Sequence, residues 1–246
     1  MSNSPLVSYT KLSPNHSGQR THVVDRITPH CVVGQCSVET LGNIFAPTSR
    51  QASCQYGIGV DGRVGMYVEE KNRSWCSSSN ANDQRAITIE CASDATHPYA
   101  FNDTVYAKLI ELCTDICKRY GKTKLLWFGD KTKTLNYEPA SNEMVLTVHR
   151  WFANKSCPGD WMYARMGDLA SKVTAKLGGS AGGTEKPADN QALYRVQTGA
   201  FSNKTNADAM LQKVKAAGFD TYMVKVDNLY KIQVGAFSKK ANADTM

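Results

Sequence analysis

The chain has 246 residues, of which 41% are hydrophobic and 21% charged, a composition that excludes a disordered chain and leaves enough apolar material for one medium domain and a small one. The net charge of +7 is spread as +4 over residues 1–176, −1 over 177–190 and +4 over 191–246, which favours polyanionic surroundings. No Arg/Lys run interleaved with aromatics points to nucleic acid, and no stretch of 18 apolar residues predicts a membrane span.

The N-terminal MSNSPLVSYTKLSPNHSG lacks the basic and apolar regions of a signal peptide, so synthesis in the cytoplasm without membrane insertion is expected. VVDRITPHCVVG predicts a central strand, and YGIGVDGRVGMYVE a hairpin turning at Asp61-Gly62. AITIECA (86–92) is a third strand. From Asn102 or Asp103 as N-cap, Val105, Leu109, Leu112, Ile116 and Tyr120 follow helical spacing up to the stop at Gly121. MVLTVH (144–149) returns to strand character. After Cys157-Pro158 a last helix places Met162, Met166, Leu169 and Val173 on one face. Strands alternating with helices predict an α/β fold, a mixed central sheet covered by helices.

GGSAGGTEKPADN (178–190) has linker composition and divides the chain into 1–177 and 191–246. Beyond it, YRVQTGAFSNKTNADAM (194–210) and YKIQVGAFSKKANADTM (230–246) share 11 of 17 positions at an offset of 36 residues. The repeat predicts a smaller β-α-β-β-α domain whose second helix is cut off at Met246, so this domain is expected to be truncated.

The eight cysteines are scattered through apolar surroundings, unlike a secreted disulfide framework. Cys113 and Cys117, four apart on the predicted helix, read as buried hydrophobes rather than a metal pair. Of five histidines, His30 and His149 end strongly apolar strands, and VHRWFANKSCPGD sets Cys157 eight residues beyond His149. Together they form a His2Cys set of the kind that holds a catalytic zinc with one open position. His22 and His97 fall in no motif.

The His149, Lys155 and Cys157 pattern in its Lys-Ser-Cys-Pro-Gly-Asp setting makes residues 8–176 resemble the zinc-dependent N-acetylmuramoyl-L-alanine amidases of the amidase-2 family, which includes phage endolysins and peptidoglycan-recognition proteins. The resemblance implies that His30, His149 and Cys157 bind Zn2+ and that Lys155 lies beside the scissile carbonyl. Family members take a further catalytic group either from a tyrosine on the hairpin strand or from a glutamate on the next one. Here the latter position is Glu90, the expected base. The tyrosine position falls on Cys54, which leaves Tyr56, two residues on, as a candidate substrate-binding residue on the same strand face. Trp75 is expected to wall the peptidoglycan groove, although Cys76 stands where many relatives have a histidine after the aromatic.

Residues 191–246 resemble a SPOR domain, which implies binding of septal peptidoglycan. Tyr194, Gln197, Gly199 and Phe201, with Tyr230, Gln233, Gly235 and Phe237 in the second copy, carry the likeness. The expected protein is a monomeric cell-wall hydrolase of endolysin or autolysin type, acting on peptidoglycan after release from the cytoplasm. The alternative is a peptidoglycan-binding protein without catalysis, and retention of Cys157 speaks against it.

Overall fold

The computed structural model describes residues 2–178, 194–217, 219, 221–226 and 228–237, and the chain divides into two compact units, Met1–Lys186 and Pro187–Met246. All of the predicted linker except Gly178 lies outside the described residues, as does the predicted second helix of the repeat.

In chain order the first unit contains β1 (Val7–Thr10), β2 (His16–Gln19), β3 (Arg26–Cys31), α1 (Val38–Phe45), β4 (Tyr56–Ile58), β5 (Val64–Met66), β6 (Asn72–Ser74), α2 (Asn80–Arg85), β7 (Ala86–Cys91), α3 (Asp103–Arg119), β8 (Lys124–Leu126), α4 (Lys131–Leu135), β9 (Glu143–Leu146), α5 (Asp160–Tyr163) and α6 (Met166–Lys176). Seven strands form one sheet in the order β1-β5-β4-β7-β3-β9-β8. Only the β4–β5 hairpin pairs antiparallel in it, and its turn falls at Gly62, whose φ of +81° a side chain would resist. The sheet is mixed, as predicted.

Register separates the sheet into two chemically different faces. Arg26, Thr28 and His30 of β3 stand opposite Ala86, Thr88 and Glu90 of β7, while Ile27 stands opposite Ile87. Side chains alternate along a strand, so one face of the central strands carries the isoleucines and the other a polar row. The apolar face packs on α3, through Val105, Leu109, Leu112 and Ile116, and on α6, through Met166, Leu169 and Val173. Asn102 caps α3 by accepting from the Val105 N–H at 2.8 Å, and Gly121 follows its end at a φ of +66°, as the spacing predicts. The predicted last helix is two: a bend at Ala164–Arg165 separates α5 from α6, yet Met162 and Met166 are both fully buried.

The polar face is held by side-chain hydrogen bonds under α2. The Thr28 and Thr147 hydroxyls pair at 2.7 Å, Asn82 donates to Thr28 at 3.0 Å and accepts from Thr147 at 3.0 Å. Buried polar groups satisfied in this way stiffen the floor on which a site can stand.

The second unit contains β10 (Tyr194–Phe201), α7 (Lys204–Ala216), β11 (Thr221–Val226) and β12 (Leu229–Phe237), with an antiparallel sheet ordered β10-β12-β11. Gln197 pairs with Gln233, residues that are equivalent in the two copies of the repeat, so the first strands of the copies lie side by side. The described elements follow the predicted β-α-β-β order.

Candidate active site

Three segments bring their chemistry to the C-terminal end of β3. His30 is the next-to-last residue of that buried strand and is 1% exposed. Strand β9 ends at Leu146, three residues earlier than the predicted strand, and the chain leaves the sheet in a short turn at His149–Trp151. The loop then doubles back, with Arg150 N–H donating to the Cys157 carbonyl at 3.1 Å. Sequence spacing of eight residues is thereby turned into spatial proximity.

The ligand atoms of His30, His149 and Cys157 all lie within 4.8 Å of one another. Cys157 Sγ is 3.2 Å from His30 Nδ1, and the two imidazole rings are 5.1 Å apart between centroids. Bonds of roughly 2.0 and 2.3 Å to a tetrahedral zinc would separate a nitrogen and a sulfur ligand by about 3.5 Å, close to what is found. His30 Nε2 is buried with no hydrogen-bond partner. Burial and the neighbouring His149 hold His30 well below the ordinary histidine pKa, while burial and Lys155 lower His149. Both rings are thus kept neutral, the state in which imidazole offers a lone pair to a metal. Burial raises the Cys157 thiol, so a bound cation would have to displace its proton.

Glu90 lies across from His30 in register, its Oε1 4.0 Å from His30 Nδ1. Its other oxygen is buried without a partner, and burial pushes its carboxyl up to about 7. His30, Cys76 and Glu90 form a second group of close ligand atoms, with Cys76 Sγ 3.9 Å from Glu90 Oε1.

A groove of about 650 Å³ opens beside these groups. Glu90, His149 and Lys155 line it, as do Trp75, Arg50 and Arg73. Trp75 is half-buried, and its indole N–H donates to Ser17 at 2.6 Å. Lys155 is exposed, with no side-chain partner among the described residues. Ser78, at a φ of +62°, meets His149 Nε2 at 2.9 Å. Sequence reasoning missed Arg50 and Ser78: an exposed arginine after a turn and a serine in SSSN carry no periodic or motif signal.

Tyr56 does not reach the groove. It is fully buried in the main core, its hydroxyl donating to Glu70 at 2.6 Å and accepting from the Ser4 N–H at 2.8 Å. The expectation that Tyr56 shares a face with Cys54 fails because the chain is irregular between them. The chain bends at Gln55 and β4 begins only at Tyr56, so strand alternation does not extend back to Cys54. Cys54 packs with Leu41, Phe45 and Tyr67, on a different cluster from Tyr56. Of the remaining residues outside the motif, His97 pairs with Asp160 at 2.8 Å, and Cys113 and Cys117 are core residues of α3.

Comparison with known proteins bears on the same region. The chain is similar in fold to the solved structure of PlyL, with 14% identity, 67% of this chain and 95% of that one covered, and a TM-score of 0.48. It is also similar to an AmpD derivative (19% identity, 66% and 93% covered, TM-score 0.46) and to the N-acetylmuramoyl-L-alanine amidase LysC from Clostridium intestinale (17%, 71% and 96%, TM-score 0.43). No curated protein matches the sequence. The SPOR domain model matches residues 190–246, and the model described as N-acetylmuramoyl-L-alanine amidase matches residues 19–160. That second match covers more than half of the sequence and takes in the strand of His30, the strand of Glu90 and the loop of Cys157, so the chain belongs to the N-acetylmuramoyl-L-alanine amidase family.

Proposed function

We propose that this peptidoglycan amidase works with a zinc ion held by His30, His149 and Cys157, with Glu90 as general base and Lys155 as the partner of the developing oxyanion. The observation that carries this reading is the convergence of the ligand atoms of His30, His149 and Cys157 within 4.8 Å of one another, beside a groove that His149, Glu90 and Lys155 line. A bound zinc supplies a Lewis acid that polarises a carbonyl and makes water nucleophilic near neutral pH.

The chain's own residues account for the rest. Glu90 lines the groove and has a buried oxygen without a partner, and its raised proton affinity suits a group that takes a proton from water and returns it to the departing L-alanine amine. Lys155 lines the same groove with no carboxylate partner among the described residues, so its charge is available where the tetrahedral oxyanion forms. One such contact contributes roughly 3 to 4 kcal/mol in other hydrolases. Trp75 offers an aromatic wall to a sugar or peptide face.

The SPOR match supports a second, non-catalytic contact with peptidoglycan that raises local substrate concentration through the tether. Among the described residues no helix is long and apolar enough to cross a membrane. We read the enzyme as an endolysin or autolysin that works as a monomer on the cell wall. The test is metal analysis of protein purified without chelator, together with mass spectrometry of digested walls. About one zinc per chain and new L-alanine amino termini are expected; protein that cleaves walls fully with no metal would overturn the zinc reading.

A further inference from the structure

Ser78 stands in an exposed loop at a φ of +62°. In that left-handed region Cβ crowds the backbone, so glycine adopts it freely and a residue with a side chain does so at a cost. A serine held there points to a use for its hydroxyl. Among the described residues that hydroxyl has one partner, Nε2 of His149 at 2.9 Å, and the His149 Nε2 has no other.

The chain is fixed on both sides of Ser78. Before it, the Asp83 carboxylate accepts from the Cys76 N–H at 3.1 Å, the Ser77 N–H at 3.1 Å and the Ser77 hydroxyl at 2.6 Å. Asp83 is 3% exposed, and a buried carboxylate needs donors of this kind. After it, the Ser79 hydroxyl caps α2 by accepting from the Asn82 N–H at 3.3 Å. Asn82 also ties the loop to the segment of His149. Its side chain donates to the Ser77 hydroxyl at 3.1 Å and accepts from the hydroxyl of Thr147, two residues before His149, at 3.0 Å. Buried contacts therefore hold Ser78 against the imidazole, although Ser78 itself is exposed.

We propose that Ser78 is a positioning residue for His149: its hydroxyl accepts the Nε2 proton, fixes the rotation of the ring and leaves Nδ1 as the nitrogen that binds zinc. A neutral imidazole has one N–H and one lone pair, so engaging the proton at Nε2 places the lone pair at Nδ1. A partner behind a metal-bound imidazole orients the ring and raises its basicity. Ser78 acts through His149 and takes no part in proton transfer. The proposal rests on the zinc reading above and adds to it a residue that no motif marks.

The test is chelator competition for zinc at neutral pH with the full chain, set beside urea unfolding of the metal-free protein. Ser78→Gly removes the hydroxyl and relieves the left-handed backbone. Its metal-free form should be as stable as wild type or more so, while its zinc dissociation constant rises roughly 10- to 100-fold. A residue with a merely structural role would not move the two readouts in opposite directions. Ser78→Ala keeps the backbone cost and loses only the hydroxyl, and its zinc affinity should fall by the same factor. A loss in Ser78→Gly that Ser78→Ala does not share places the effect in loop flexibility and overturns the assignment. In a His149→Ala background, which retains His30 and Cys157, Ser78→Gly should change zinc affinity by less than about twofold. A full further loss there shows that Ser78 does not act through His149, and the proposal fails. Zinc affinity within about twofold of wild type in both single variants also sinks it, and leaves the zinc reading intact. Wild-type protein that binds no zinc defeats the zinc reading itself.

Discussion

Single residues at the groove make separable predictions. Removing a ligand, as in His149→Ala or Cys157→Ser, should lower activity by more than the roughly 10- to 100-fold typical of changes behind a metal ligand, with metal content falling in parallel by atomic emission. Glu90 makes a pH-dependent prediction in metal-free protein. Its carboxyl is raised from an ordinary 4.5 to about 7 in the fold, so the folded state holds its proton more tightly than the unfolded chain does. Stability linked to this group is therefore intact below about pH 4.5 and is lost as pH rises through 7. Glu90→Gln should gain on wild type across that window, by about 2 kcal/mol above pH 7 once the 15% exposure of the side chain is allowed for. Urea unfolding at pH 5 and pH 8 reads the difference, and a pH-independent difference would show that the carboxyl is not held in its neutral form.

Elements are tied together by a small number of polar contacts whose removal should be measurable. Asn102 caps α3 and also donates to the Val60 carbonyl at 2.9 Å, so Asn102→Ala should cost about 1 kcal/mol in chemical denaturation. Glu70 is 1% exposed and receives Arg119 of α3 at 2.6 and 2.8 Å, together with the Tyr56 hydroxyl. Arg119→Met leaves that carboxylate buried without its cation and should cost about 3 to 5 kcal/mol. This network gives Tyr56 its place: the tyrosine links β4 to the segment after β5 and to the N-terminal residues, a structural task on the apolar side of the sheet.

At the scale of the whole molecule, the division into two units, one matched by the amidase model and the other by the SPOR model, predicts separable functions. A chain ending at residue 177 should hydrolyse soluble muramoyl peptides at a rate within about twofold of the full chain, since the described site residues all precede that point, and should sediment less with intact walls. Equal sedimentation would remove the anchoring role from residues 191–246.

Much of this was legible in the residues themselves, because hydrophobic period and turn chemistry are local. The strand of His30, the hairpin at Asp61-Gly62, the Asn102 cap and the repeat after residue 190 each follow from neighbours in the chain, and the His149 to Cys157 spacing marked one loop as chemical. Tertiary structure alone decided which distant residues meet. The parallel register of β3 and β7 sets Glu90 beside His30, the bend at Gln55 ahead of β4 leaves Tyr56 in the core and away from the groove, and Asp25 forms its hydrogen bonds with Arg85 rather than with its chain neighbour Arg26. Those outcomes depend on strand pairing and on competition among charges far apart in sequence, and neither has a local signature.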